Sequence, residues 1–247
     1  MASEQRADPV KTKGVSLDKT AIRNAATIIL VRNPTSQPKV LMGQRGANAA
    51  FMPNKFVFPG GAMDDQDALV PMATDLPLPC AANLLDDSAP GLAHGLFAAA
   101  IRELWEETGL LLGQSGAWPG TPPQDWQGFA CKRLLPDPSP MSFVFRAITP
   151  PGRPRRFDAR FFLADAAAIT GDPDDFSAAS DELNHLQWIP LDEVRNFQLP
   201  FITEVVLAEV AAALPDLTPP DTVPFFKNTD EESLFLHLKG RVPGLQE

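Results

Sequence analysis

Residues 102–110 read Arg102-Glu103-Leu104-Trp105-Glu106-Glu107-Thr108-Gly109-Leu110. Wound as a helix, this stretch sets Glu103, Glu106 and Glu107 at i, i+3 and i+4, so three carboxylates share one face. Like charges at that spacing destabilise a bare helix by roughly 0.2–0.5 kcal/mol per pair. A divalent cation among them reverses the sign, because hard cations such as Mg²⁺ take carboxylate oxygens as ligands. Phe97, Ala100, Ile101, Leu104 and Thr108 recur at helical spacing on the opposite face, which is expected to fix the helix to a core. Gly109 stands where a left-handed cap ends a helix. Spacing alone is equally compatible with a solvated surface helix that carries an acidic cluster.

Upstream, Pro59-Gly60-Gly61 offers two residues free to take positive φ and to admit close backbone approach, here to a phosphate chain or the metal cluster. Ala25-Ala26-Thr27-Ile28-Ile29-Leu30-Val31 is an almost continuous apolar run, suited to a strand buried on both faces. The Asn33–Pro38 stretch is a turn, and residues 39–44 its hairpin partner.

The run Arg-Glu-hydrophobic-x-Glu-Glu-x-Gly-hydrophobic resembles the second half of the signature of the Nudix hydrolases, matched at every specified position by residues 102–110. The first half of that signature is a Gly, five residues and a Glu, then the Arg after seven more. Here Gly61 and Asp67 take the Gly and Glu places, and the Arg arrives about 27 residues late. The resemblance covers roughly residues 20–200. It implies an α/β (mixed α+β) fold, an α/β/α sandwich with a mixed β-sheet between helices. It also implies hydrolysis of a nucleoside diphosphate linked to another group, with Mg²⁺ or Mn²⁺ held by Glu103, Glu106 and Glu107. Arg102 would orient a carboxylate, and Glu106, Glu107 or the loop residue Glu182 would take the proton of the attacking water. Glu182 stands six residues before Trp188, as a loop Glu does before the closing strand of that family.

Within the family, Arg45 to Gly61 resembles the coenzyme A diphosphatase branch, in which Arg-(Ser/Ala)-x3-Arg-x3-Gly-x3-Phe-Pro-Gly-Gly precedes the box. Arg45 and Phe58-Pro59-Gly60-Gly61 keep the register, while Gly46, Ala50 and Asn54 depart from it. Gln44-Arg45 followed by Phe51-Met52-Pro53, with the interrupted box, is similar to a sub-branch acting on coenzyme A and its thioesters. On that reading Arg45, Phe51, Gly60 and Gly61 bind substrate, and the products are 4′-phosphopantetheine, or its acyl form, and adenosine 3′,5′-bisphosphate. An ADP-ribose or NADH pyrophosphatase of the same fold, and a non-catalytic nucleotide-sensing relative, are the alternatives.

Residues 62–93, rich in Pro, are too broken for one continuous helix and are expected to form a lid or a wall near the site. Arg153-Pro154-Arg155-Arg156-Phe157-Asp158-Ala159-Arg160 concentrates positive charge in an acidic chain. Guanidinium forks suit phosphates, so Arg156 and Arg160 are candidates for holding a pyrophosphate or a 3′-phosphate. Trp118 and Trp126 either stack on an adenine or pack together.

The chain of 247 residues carries a formal charge of −10 and 26 prolines. An acidic balance excludes a general nucleic-acid surface, which needs a basic footprint. No stretch reaches the ~18 apolar residues of a membrane span. Cys80 and Cys131 form either one disulfide or two free thiols. A cytoplasmic enzyme with a small-molecule nucleotide-diphosphate substrate is expected. Its organisation is expected to be a flexible arm at 1–20, a domain over 21–214, and a C-terminal extension at 215–247 packed on that domain or across a homodimer.

Overall fold

The computed structural model describes residues 21–49 and 51–240, so the expected arm at 1–20, Ala50 and the last seven residues lie outside the described part. In chain order the elements are β1 (Ile22–Arg32), β2 (Lys39–Arg45), β3 (Phe56–Val57), β4 (Gly60–Ala62), α1 (Leu78–Leu85), α2 (Leu92–Thr108), β5 (Gly113–Ser115), α3 (Gln127–Cys131) and β6 (Leu134–Pro136). There follow β7 (Ser142–Ile148), β8 (Arg156–Asp165), β9 (Leu183–Pro190), α4 (Phe201–Ala213), β10 (Val223–Asn228) and β11 (Ser233–Leu238).

The apolar run of β1 lies at the middle of a mixed sheet of order β11-β10-β7-β8-β1-β2-β3, with β4 also paired to β1 and β9 to β2. The β1–β8 and β7–β10 pairs are parallel and the others antiparallel. Strand alternation sends Ala26, Ile28 and Leu30 of β1, with Phe143 and Phe162, into one core under α1 and α2. Ile29 and Val31, with Phe145, Phe161 and Leu163, enter a second core closed by Val206, Leu207 and Val210 of α4. The architecture is therefore the expected mixed sheet between helices.

Helix α2 is buried almost all round, from Gly95 through Leu104. It ends at Gly109, whose φ of 77° is left-handed and whose N–H donates to the Trp105 carbonyl at 2.8 Å. The Pro-rich stretch after β4 contains one short helix, α1, and sends a few residues into the core while most of it stays partly or fully exposed. Pro79 sits in the first turn of α1, where the missing N–H is one the helix leaves unpaired anyway. Val70, Cys80 and Leu84 are buried in the α2-side core. Only the start of that stretch, a 3₁₀ turn at Asp65–Leu69, packs beside the acidic end of the molecule's central helix. Both cysteines are free thiols, Cys80 buried and Cys131 exposed. Trp118 and Trp126 pack on each other, with ring centroids 5.7 Å apart. Among the described residues no helix is long and apolar enough to cross a membrane.

Candidate active site

Three strands converge on the acidic end of α2. Strand β4 runs antiparallel to β1, with Ala26 opposite Gly61 and Thr27 opposite Gly60. A Cβ on Gly60 would lie 2.7 Å from the Ala26 carbonyl oxygen, and one on Gly61 would collide with the Glu103 carboxylate. Both glycines are thus required by close approach. What approaches them is protein: the Gly60 N–H donates to Glu107 Oε2 at 2.8 Å.

Arg102, buried on α2, spends all five of its N–H donors on the chain itself. Nε and Nη2 donate to the two oxygens of Asp67 at 3.0 and 3.1 Å. Nη2 also donates to the Ala62 carbonyl at 2.9 Å, and Nη1 donates to Glu103 at 2.9 Å and Glu106 at 3.0 Å. Burial alone would make this guanidinium easier to deprotonate. The hydrogen bonds to Asp67 and the charges of Glu103, Asp67 and Glu106 outweigh that and raise its pKa. Asp67, itself buried, closes its own turn by accepting from the Asp64 N–H at 2.9 Å.

The carboxylates lie in unequal environments. Glu107 is 1% exposed, and burial, then the charge of Glu103, pushes its pKa well up; the Gly60 N–H and Arg45 pull it back only in part. Its second oxygen, Oε1, is buried with no hydrogen-bond partner. Glu103 is pushed up to about 7 by burial, with Arg102 opposing and Glu106 adding to the rise. Glu106 is half-buried and also raised, by burial first and against Arg102.

The β2–β9 pairing supplies the facing wall, with Arg45 opposite Leu183. Arg45 Nη2 donates to Glu182 Oε1 at 2.9 Å, while Arg45 Nε is buried and unpaired. The loop before β9 is tied to the central helix by the Ser180 N–H, which donates to the Glu106 carbonyl at 3.0 Å. Glu182 acts electrostatically on both Glu103 and Glu107, and Arg45 on Glu107. So Arg45, Gly60, Gly61, Arg102, Glu103, Glu106, Glu107 and Glu182 come together. Phe51 packs edge-on against Phe157 at 5.4 Å. Asn54, where the branch motif has Gly, has φ 61°, a left-handed conformation that Asn tolerates.

Arg156 and Arg160, expected to hold phosphate, have hydrogen-bond partners within the fold and none among these residues. Arg160 is 1% exposed and donates to Asn24 Oδ1 at 2.7 Å, to the Asp158 carbonyl at 2.8 Å and to Ser88 Oγ at 3.1 Å. Burial lowers its pKa to about 10. Arg156 donates to the carbonyls of Thr149 and Asn228, tying together the ends of β7, β8 and β10. Period-two alternation was the available signal, since Arg156, Asp158, Arg160, Phe162 and Ala164 share a strand face. Charge density drew attention to what alternation assigns to the core side.

A small cavity of about 220 Å³ beside Arg102 is lined by Asp64, Asp65, Gln66, Asp67, Asp125 and Trp126. Asp125, whose charge also raises the Glu106 pKa, was not foreseen and has no signature in the sequence. A larger cleft, about 1030 Å³, is lined by Trp118 but by none of the acids or arginines expected at the site.

The donor set fits a divalent cation. Glu107 Oε1 is an orphaned buried oxygen, and Glu103 and Glu107 are buried acids with too little positive charge to pair them. Among the described residues no three acidic, His or Cys groups are already gathered as a cation site. Glu103 and Glu106 are turned toward Arg102 instead.

No family model matches the chain. It is 29% identical over 179 residues to a Caenorhabditis elegans protein named putative nudix hydrolase 7, a match covering 68% of this chain and 51% of that protein. The chain thus spans about half the length of that curated relative. The crystal structure of a NUDIX hydrolase from Alicyclobacillus acidocaldarius superposes with a TM-score of 0.59 at 26% identity, covering 81% of this chain and 99% of that one. Relative and structure both support the Nudix hydrolase superfamily. The two stretches that resemble the halves of the Nudix signature, Gly61 to Asp67 and residues 102–110, lie on either side of α1 in the chain and are joined by the Arg102–Asp67 fork.

Proposed function

We propose that this chain is a metal-dependent Nudix pyrophosphohydrolase that cleaves coenzyme A or an acyl-coenzyme A into 4′-phosphopantetheine, or its acyl form, and adenosine 3′,5′-bisphosphate. The observation that carries the reaction class is the buried, unpaired Glu107 Oε1 beside Glu103, two acids whose charged forms burial disfavours and a bound cation would stabilise. Glu103, Glu106 and Glu107 would hold Mg²⁺ or Mn²⁺. Bound there, such a cation offsets the charge of a pyrophosphate and acidifies water.

The remaining work falls to the chain. Arg102 holds the Glu103 and Glu106 carboxylates in place, and the Gly60 N–H holds that of Glu107. Glu182, exposed on its loop and tethered by Arg45, is placed to take a proton from water at its carboxylate. The water oxygen bonds to phosphorus as the anhydride P–O bond breaks, and the leaving phosphate carries away the electron pair. Arg45, whose side chain keeps 19% of its surface exposed beside these acids, would meet a phosphate oxygen through its guanidinium.

The substrate assignment rests on the segment from Arg45 to Gly61, in which Asn54, at the motif's Gly position, has a left-handed backbone. One observation favours a second reading. With Arg156 and Arg160 engaged elsewhere, nothing assigned so far grips a 3′-phosphate, which suits ADP-ribose or NADH. Product analysis with Mg²⁺ and coenzyme A, an acyl-coenzyme A, ADP-ribose and NADH separates the readings. Adenosine 3′,5′-bisphosphate released from coenzyme A well above the other rates supports the first, and faster cleavage of ADP-ribose or NADH replaces it with the second. Failure to cleave any pyrophosphate with either cation overturns the enzyme reading and leaves a nucleotide-sensing protein.

A further inference from the structure

We propose that the cleft beside β5 and α3 binds an aromatic phosphate of the nucleoside monophosphate class, at a site separate from the acids of α2. The cleft holds about 1030 Å³, at the upper end of what small-molecule sites enclose. It is lined by residues 115–118, by Thr121 and Pro122, by one side of α3, and by Lys132 and Arg133. Among the described residues no carboxylate lines it.

In a chain of 31 acidic and 21 basic residues, most cations find a carboxylate. Arg32, Arg45, Arg102, Arg146, Arg156 and Arg160 each have one at 3.4 Å or less. Lys132 and Arg133 are exposed neighbours in sequence, and neither side chain has an ion pair or hydrogen bond among the described residues. Asp175 feels the charge of Lys132, but its carboxylate accepts the Ser177 N–H at 3.0 Å and is not part of the lining. Two adjacent like charges repel, and an anion between them relieves that repulsion. Phosphate suits the pair best, since a guanidinium fork and an ammonium can each take separate oxygens of it.

Trp118 supplies the second half of the recognition. Its Nε1–H is spent on the Leu134 carbonyl at 2.8 Å, so the indole offers the cleft a ring surface and no donor. Ala117, Pro122 and Ala130 continue that apolar lining. A flat ring beside two cations matches a base that carries a phosphate, because stacking and charge pairing are then satisfied by one molecule. Inorganic phosphate would leave the ring unused, and a neutral aromatic would leave the cations unpaired. The frame is set in advance by backbone bonds. The Gly116 N–H donates to the Arg133 carbonyl at 3.0 Å, and Arg133, with a left-handed φ of 58°, turns the chain from α3 into β6.

Calorimetric titration of the full chain with adenosine monophosphate, in EDTA at about pH 8, tests this alongside tryptophan fluorescence. Without a cation the carboxylates of α2 repel a phosphate, so binding under these conditions reports the cleft and does not depend on any hydrolysis. One molecule per chain is expected, with a Kd below about 1 mM and a change in tryptophan emission. Adenosine and inorganic phosphate should each bind at least about tenfold more weakly, and K132E/R133E should weaken the nucleotide by about tenfold or more. Ala117→Trp, at an exposed position in the lining, should abolish binding by filling the cleft, with circular dichroism unchanged. No binding up to about 10 mM nucleotide overturns the proposal. So does adenosine or inorganic phosphate binding as tightly as the nucleotide, or a nucleotide affinity that K132E/R133E and A117W leave as it was.

Discussion

Arg102 and Asp67, 35 positions apart, are joined by two parallel hydrogen bonds of 3.0 and 3.1 Å with both side chains buried. The same guanidinium holds Glu103 and Glu106, so a pairing outside the helix sets the directions of two carboxylates within it. Asp67 is a positioning residue in this sense: it fixes the fork that fixes the acids.

Removing Asp67 takes two hydrogen bonds and a buried carboxylate from the Arg102 cation. Asp67→Ala is expected to lower stability by about 3–5 kcal/mol, the usual result of breaking one side of a buried pair. Asp67→Glu, which keeps the charge, should lose much less. Urea midpoints of the three proteins at neutral pH check this.

Glu107 is expected to set activity against stability. Glu107→Gln, and likewise Glu106→Gln, should reduce Mg²⁺-dependent turnover at least about 100-fold while the protein stays folded. In metal-free buffer at pH 8, Glu107→Gln should melt higher than the parent, because it removes a buried charge whose Oε1 has no partner. Near-normal turnover in both variants would refute the ligand assignment.

The metal-free chain should lose stability as pH rises. Glu103 goes from an ordinary value of 4.5 to about 7 on folding, chiefly through burial. Its favourable contribution is complete below about 4.5 and lost as pH climbs through about 7. Glu106 and Glu107 are raised as well and act in the same direction. Melting curves in EDTA should therefore fall between pH 5 and pH 8, and added Mg²⁺ should raise the melting temperature more at pH 8 than at pH 5.

Arg160 should matter for folding and not for substrate. Arg160→Met is expected to leave the KM for the best pyrophosphate substrate within about twofold, because the guanidinium reaches only Asn24, Ser88 and Asp158. Asp158→Ala, which strands both Arg146 and Arg160, should cost about 3–5 kcal/mol. A large rise in KM for Arg160→Met would return this residue to the binding site.

What could be read in advance was local. The three-glutamate face, the apolar face behind it and the Gly109 cap all follow from helical periodicity within a few turns, and α2 has each of them. The apolar run of β1 likewise announced a strand buried on both sides. The weaker readings were those in which composition stood in for register. Prolines suggested an excursion, within which α1 sends Cys80 and Leu84 to the core, and arginine density suggested a phosphate grip where strand alternation turns Arg160 inward.

By itself, the sequence determined the acidic helix, its cap and the pairs of glycines and glutamates available to the site, because these depend on spacings of a few residues and on side-chain type. Only the tertiary structure decided that Asp67 reaches Arg102 across α1, that Gly60 and Gly61 press on Glu107 and Glu103, and that Arg45 meets Glu182. Those contacts are set by the register of β4 on β1 and of β2 on β9. Register is a property of strands distant in the chain, where a shift of one residue turns every side chain to the other face.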